Sequence, residues 1–131
     1  MARILVVDDE PHIVKLVSFS LEKGGHEVLE APDALTGIAL ARENKPDLIL
    51  MDVMMPLMTG FEAVDKLKED PETRSIPVVM LSAKSQMYEQ EEGLRRGALR
   101  YVCKPFTPRD LVGVVTEILS DAGEGDVEDG A

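Results

Sequence analysis

Four short apolar runs recur along the chain, and polar residues follow each of them directly. The runs occupy residues 4–7, 48–51, 78–81 and 101–103. Because they show little alternation of apolar and polar positions, they predict strands covered on both faces, as in a parallel sheet. Pro56 cannot continue the second run, so that strand is predicted to end near Asp52. The Asp52 carboxylate would then lie at the edge where open α/β sheets bind their ligands.

Helical patterns separate the apolar runs. Asp33 is a predicted helix cap, and Thr59 with Glu62 is a predicted capping box. The whole pattern predicts an α/β fold of five strand-helix units with a mostly parallel sheet. Its strands are 3–8, 27–30, a run ending at 52, 78–81 and 99–103, and its helices are 11–23, 34–43, 60–69, 86–96 and a last one from 107. Helix 86–96 is mostly polar, so we expect it to be the least firmly packed.

The length and composition fit one globular domain. A chain of 131 residues can bury a sizeable core, and we expect the domain to occupy residues 1–120. Segment 121–131 is rich in Gly, Asp and Glu with little to bury, so it is expected to be an acidic, disordered tail. The apolar runs fall far short of the ~20 residues of a membrane span. They are also too short for a signal-peptide core, so a cytoplasmic location without membrane contact is expected.

Charge and motif content exclude several functions. A net charge of −11 argues against direct nucleic-acid binding, because phosphate contacts need clustered Lys and Arg. The single cysteine, Cys103, is predicted to be a buried structural thiol, and the isolated His12 and His26 are predicted to be surface residues. The chain has no Walker-type loop, no paired His/Cys metal spacing and no Gly-x-Ser-x-Gly motif.

The residues that follow the apolar runs form a chemically coherent set. Parallel strands would bring three carboxylates, one hydroxyl and one ammonium to a single edge of the sheet, from Asp8, Asp9, Asp52, Ser82 and Lys104. Mg²⁺ prefers hard oxygen ligands and is usually held by one or two carboxylates together with water and phosphate oxygens. A single Asp after a strand is usually only a turn residue or helix cap, but the complete set favours a magnesium and phosphate site.

Four separated motifs resemble those of the receiver domains of two-component response regulators. They are Val6-Val7-Asp8-Asp9-Glu10, Asp52-Val53-Met54-Met55-Pro56 with Gly60, Leu81-Ser82-Ala83, and Gly97-Ala98 with Tyr101 and Lys104-Pro105-Phe106. The resemblance covers roughly residues 2–120. It implies a flavodoxin-like, doubly wound (βα)₅ fold with five parallel strands in the order 2-1-3-4-5.

The resemblance also implies a role for each site residue. Asp52 would be the phosphoacceptor, which takes a phosphoryl group from a histidine kinase or a small donor. Asp8 and Asp9, with Asp52 and the backbone carbonyl of Met54, would hold Mg²⁺, for which Mn²⁺ is a candidate substitute. Lys104 would pair with the phosphoryl oxygens.

Two further residues would form the switch of such a domain. On phosphorylation, the Ser82 hydroxyl would bind a phosphoryl oxygen, and the Tyr101 side chain would change rotamer. The peptide bond before Pro105 would be cis. The protein would be a signalling module that catalyses only its own phosphorylation and dephosphorylation, not an enzyme with separate substrates.

The implied partners are a histidine kinase and a downstream protein or effector domain, with a phosphorylation-dependent homodimer as a further candidate. With no effector segment after residue 120, output through protein contact is expected. Family members often carry acidic or small residues where this chain has Leu99 and Arg100. Met54 and Lys84 occupy the positions that influence phosphoryl lifetime in the family, which leaves that lifetime open.

Two other functions need the same kind of site. A Mg²⁺-dependent aspartyl-phosphate hydrolase of small phosphate esters would also use strand-end carboxylates and a lysine. Such hydrolases usually carry a second acid two residues after the nucleophile, where this chain has Met54. A receiver-shaped scaffold would bind partners without phosphorylation, and the complete set of acids, hydroxyl and lysine argues against it.

Overall fold

The computed structural model describes residues 2–83 and 87–130, with side chains for 2–82 and 88–120. Five strands and five helices alternate along the chain. The strands are β1 (Arg3–Val7), β2 (Glu27–Ala31), β3 (Leu48–Asp52), β4 (Val78–Ala83) and β5 (Arg100–Lys104). The helices are α1 (Pro11–Lys23), α2 (Ala34–Asn44), α3 (Gly60–Glu69), α4 (Met87–Arg96) and α5 (Pro108–Gly130). The predicted α/β class is confirmed.

The strands form one parallel sheet in the order β2-β1-β3-β4-β5, as the family resemblance implied. Side chains of the sheet pack into two apolar clusters, one on each face. One cluster includes residues of α1 and α5, and the other includes residues of α2 and α3. All five residues of β3 are buried, as its continuous apolar run predicts for a central strand.

The strand register brings the ends of four strands to one edge. Val7 pairs with Met51, and Asp52 pairs with Leu81. On β5, Cys103 pairs with Ser82 and Lys104 pairs with Ala83. The polar residues at or just beyond these ends therefore share one edge of the sheet.

Local signals fix where two helices begin. The Asp33 side chain accepts a hydrogen bond from the Thr36 amide, which confirms the predicted cap of α2. Thr59 and Glu62 form the predicted capping box of α3, in which each side chain binds the other residue's backbone amide. The loop between β3 and α3 is thus held at the end where α3 begins.

The last helix is longer than the sequence predicts. The acidic segment from residue 121 was expected to be disordered, whereas α5 continues through Gly130. No proline follows Pro108, so nothing in the backbone blocks the helical hydrogen bonds. The division into a domain of residues 1–120 and a tail stays a prediction. Among the described helices, none combines the length and the apolar character that a membrane crossing requires.

Candidate functional site

Four carboxylates meet at the carboxyl edge of the sheet. Asp8, Asp9 and Glu10 follow β1, and Asp52 is the last residue of β3. Each offers an oxygen, and these oxygens all lie within 4.8 Å of one another. Asp8 and Asp52 are only 1% and 4% exposed. Two buried carboxylates so close together repel each other unless a cation is present.

Lys104 supplies a positive charge at the same place. Its Nζ lies 3.0 Å from Oδ2 of Asp8 and 3.2 Å from Oδ1 of Asp52. The same nitrogen lies 3.2 Å from Oε1 of Glu10. The peptide bond between Lys104 and Pro105 is cis, as the resemblance implied. One ammonium therefore contacts three carboxylates that come from two different strands.

The surroundings change the proton affinity of these groups. Burial, followed by the negative charge of Asp8, raises the pKa of Asp52 to about 7, although the Lys104 ammonium opposes the shift. Burial alone would lower the pKa of Lys104, but the charges of Asp52 and Asp8 and the hydrogen bonds to its acidic neighbours outweigh it and raise that pKa. Without further positive charge, Asp52 therefore holds its proton more tightly than an ordinary Asp.

The residues at this edge fit a magnesium ion. Carboxylate oxygens are the hard ligands that Mg²⁺ prefers, and three Asp side chains offer them here. Among the described residues, the buried Oδ2 of Asp8 has the Lys104 ammonium as its one polar contact. An acceptor oxygen in that condition has capacity for a further cation. Asp8, Asp9 and Asp52 are the side chains that would hold the ion.

A close backbone approach shapes the loop after β3. The Val53 amide donates to the Leu81 carbonyl at 3.1 Å, and the Gly60 amide donates to the Val53 carbonyl at 2.8 Å. A Cβ atom at Gly60 would overlap the carbonyl oxygen of Asp52. Only glycine lets the start of α3 lie against the end of β3 in this way.

The remaining predicted residues lie around the same edge or next to it. Ser82 on β4 is 1% exposed, and its hydroxyl has no hydrogen-bond partner among the described residues. Tyr101 on β5 is 39% exposed and pairs in register with Met80, two residues before Ser82 on β4. Met54, two residues after Asp52, has a largely exposed side chain. Lys84 lies outside the described residues.

An open cavity of about 470 Å³ adjoins the carboxylates. Asp52, Glu10 and Lys104 form its polar side, and its other walls are mostly apolar, from Ile13, Leu16, Val53, Met54, Pro105 and Phe106. Asp52 can therefore be reached from solvent through this cavity.

Sequence reasoning missed one residue of this cluster. Glu10 is assigned no role from the sequence beyond its place in the first motif, yet its carboxylate contacts Lys104. Its position as the third acid in a row, next to Pro11, was the available signal. That signal did not reveal the contact, because Glu10 and Lys104 are separated by 94 residues in sequence.

The cysteine and histidines take no part in the cluster of acids. Cys103 is half-buried rather than buried, because β5 is an edge strand, and its Sγ accepts a hydrogen bond from Gln90 Nε2 at 2.8 Å. His12 is exposed, with Nε2 at 3.7 Å from Oε2 of Glu10. His26 accepts a hydrogen bond from the Ala2 amide through Nδ1, far from the carboxyl edge.

Comparison with known proteins gives a consistent result. The family model "Response regulator receiver domain" matches residues 4–116. The protein PilH of Pseudomonas aeruginosa is 42% identical over 120 residues, covering 92% of this chain and 99% of PilH. The phosphate regulon transcriptional regulatory protein PhoB of the same organism is 42% identical over 125 residues, covering 95% of this chain but 55% of PhoB.

Solved structures agree with the sequence comparison. The chemotaxis protein CheY4 of Vibrio cholerae superposes with a TM-score of 0.84 at 35% identity, covering 89% of this chain and 98% of that one. The chain thus spans nearly all of PilH and CheY4 and about half of PhoB. Phosphorylation and magnesium binding are general properties of proteins with this domain. The chain therefore belongs to the response regulator receiver domain family of two-component systems.

Proposed function

We propose that the protein accepts a phosphoryl group on Asp52 from a histidine kinase and thereby switches a partner-binding surface. The observation that carries this proposal is the grouping of Asp52 with two further Asp carboxylates and the Lys104 ammonium. Such a group can bind a divalent cation and stabilise negative charge on an incoming phosphoryl group.

In the transfer, an Asp52 carboxylate oxygen attacks the phosphorus of a phosphohistidine. The new O–P bond forms as the N–P bond breaks, and the electron pair of that bond stays on the imidazole nitrogen. Asp52 reacts as the anion, so positive charge near it favours the reactive form. Lys104 supplies part of that charge, and it would also contact the oxygens of the transferred group.

Asp8, Asp9 and Asp52, with the backbone carbonyl of Met54, would hold the magnesium ion. The ion would stabilise the charge that develops on the phosphoryl oxygens. Mn²⁺ would substitute, because carboxylate and carbonyl ligands suit both ions. The hydrogen bond that Asp8 Oδ1 accepts from the Glu10 amide at 3.0 Å supports this role, because it restricts the orientation of the carboxylate.

The switch would involve Ser82 and Tyr101. The Ser82 hydroxyl is buried and has no partner among the described residues, so it is free to donate to a phosphoryl oxygen. A new contact at the end of β4 would change the packing of α4 and the position of the partly exposed Tyr101. A downstream protein, an effector domain or a second copy of the chain would read this change. We place the protein in the cytoplasm, where its kinase partner would act.

Mass spectrometry tests the proposal directly. The protein is incubated with Mg²⁺ and acetyl phosphate, and we expect one adduct of the mass of a phosphoryl group that forms on the wild type. The adduct should be absent from Asp52→Asn and from samples with excess EDTA. Glu43→Gln, an exposed substitution on α2, is the matched control and should be labelled like the wild type.

Two outcomes would contradict the proposal. Labelling that persists in Asp52→Asn would show that another group is the acceptor. Rapid turnover of phosphate monoesters with no stable adduct would favour the hydrolase instead. If Asp52 is labelled as expected, phosphoryl transfer from a panel of phosphorylated histidine kinases would identify the physiological donor.

A further inference from the structure

We propose that Glu10 is a positioning residue that binds the Lys104 ammonium beside the two buried acids and competes for it with an incoming phosphoryl group. This inference rests on the proposed function of Asp52. Glu10, which directly follows Asp8 and Asp9, would then influence how readily the Lys104 ammonium binds a phosphoryl oxygen.

The backbone of Glu10 is held at several points. Its amide donates to Asp8 Oδ1 at 3.0 Å, and its carbonyl accepts from the amides of Ile13 and Val14 at 3.0 and 3.1 Å. Pro11 follows at the first position of α1 and restricts the chain further. The Glu10 side chain therefore reaches toward Lys104 from a fixed starting point.

Helix capping does not account for the Glu10 side chain. Glu10 is the N-cap of α1, but its side chain makes no capping hydrogen bond. Instead Oε1 lies 3.2 Å from Lys104 Nζ, and Oε2 is directed toward the exposed His12. The contact with Lys104 is thus the principal interaction of this carboxylate among the described residues.

The three acids around Lys104 have different environments. Asp8 and Asp52 are buried, whereas the Glu10 side chain is 47% exposed. A cation held by the two buried acids would repel the ammonium and satisfy much of their charge. Lys104 is only 20% exposed in its side chain, so its charge needs a partner nearby. Glu10 is the acid that stays available for that purpose.

Asp8, Glu10 and Asp52 together occupy the three donors of the Lys104 ammonium, so Lys104 can bind a phosphoryl oxygen only when at least one of these contacts weakens. Glu10 therefore competes with the phosphoryl group for the same ammonium. Removing the contact should make Lys104 more available and lower the donor concentration that gives half the maximal rate of Asp52 labelling. From the range for partly exposed ion pairs, we expect a change of about two- to five-fold.

Labelling kinetics with phosphoramidate at saturating Mg²⁺ provide the first test. Glu10→Gln removes the charge, and Glu10→Asp keeps the charge but shortens the side chain by one methylene. Both should lower the half-maximal donor concentration, with little change in the maximal rate. Glu22→Gln, the same change further along α1, should behave like the wild type.

Nitrogen-15 NMR of the lysine side chains tests the contact independently of phosphorylation. The Lys104 ammonium signal, identified by its loss in Lys104→Met, should shift in both Glu10 variants and not in Glu22→Gln. Thermal unfolding midpoints should stay within a degree or two of the wild type, because the Glu10 side chain is half-exposed.

Three results would overturn the inference. An unchanged Lys104 signal in both Glu10 variants would show that the contact does not exist in solution. An unchanged half-maximal donor concentration would show that the contact does not compete with the phosphoryl group. Loss of Mg²⁺ affinity by ten-fold or more in Glu10→Gln, measured calorimetrically, would make Glu10 a metal ligand instead. Failure of the wild type to be labelled would refute the proposed function, while the NMR experiment would still decide whether Glu10 holds Lys104.

Discussion

At the scale of single residues, the charge that Asp52 needs for its reaction is opposed by its surroundings. Asp52 must be an anion to attack phosphorus, yet burial and the charge of Asp8 favour its protonated form. Lys104 relieves part of this conflict, and a divalent cation would relieve the rest. A site arranged in this way is destabilising to the metal-free protein, because like charges are held together by the fold.

The raised pKa of Asp52 predicts a pH dependence of stability in the metal-free protein. Between about pH 4 and pH 7, folded Asp52 keeps a proton that it loses in the unfolded chain. The free energy of unfolding contributed by this group therefore falls as pH rises through that window. Asp52→Asn removes the effect, so its stability advantage over the wild type should grow from pH 4 to pH 7. Urea unfolding in EDTA measures this, and an advantage that is constant with pH would contradict the prediction.

Gly60 gives a prediction about backbone packing. In Gly60→Ala the new Cβ would overlap the Asp52 carbonyl oxygen and approach Met80, so β3 and α3 must move apart. We expect a loss of about 1–3 kcal/mol in the free energy of unfolding, together with slower Asp52 labelling. Gly113→Ala is the matched control, because its Cβ would meet no atom within 4 Å. Urea unfolding of both variants checks the prediction, and equal effects would refute it.

At the scale of helices and strands, several contacts of α4 are made by one charged side chain, Arg96, near its end. Arg96 joins the end of α4 to α3 through Asp65 at 2.9 Å, and it lies over the Phe61 ring at 5.4 Å from the centroid. Arg96 also pairs with Glu92 one turn earlier in α4. These interactions are partly exposed, so a helix held by them can shift at modest cost.

Replacing Arg96 should loosen α4 more than it destabilises the protein. Arg96→Met removes both ion pairs and the cation–π contact, and we expect a loss of about 1 kcal/mol or less in global stability. Amide hydrogen exchange in α4 should accelerate, while exchange in β1 and β3 stays slow. Arg95→Met is the control, since its described ion pair is with Glu92 within α4. Uniform acceleration across the whole sheet would contradict this prediction.

The sequence predicts some elements better than others for physical reasons. β3 and the position of Asp52 follow from a continuous apolar run and a proline, which are local signals. The capping box of α3 is equally local. The contact of Glu10 with Lys104 depends on how far these two side chains reach between strands, which the local sequence does not show. The length of α5 depends on the weak helix preference of an acidic segment that contains several glycines. Motif resemblance, rather than periodicity, supplied the order of the strands.

At the scale of the whole molecule, cation binding should be coupled to folding. A ligand that binds only the folded state stabilises it by RT ln(1 + [L]/Kd), about 2.7 kcal/mol at a hundred-fold excess over Kd. Mg²⁺ should therefore raise the thermal midpoint of the wild type in a concentration-dependent manner. Asp8→Asn should reduce this rise, and Glu43→Gln should preserve it. Differential scanning calorimetry measures the midpoints, and an equal rise in both variants would refute a role for Asp8.

The wide separation of Glu10 and Lys104 along the chain has a practical consequence. The acids that follow β1 and the lysine at the end of β5 meet only when β3 and β4 lie between those two strands in the sheet. A chain truncated before β5 would retain Asp8, Asp9 and Asp52 but lose the ammonium that offsets them. During refolding, recovery of Lys104's contacts would therefore report that β5 has joined the sheet beside β4.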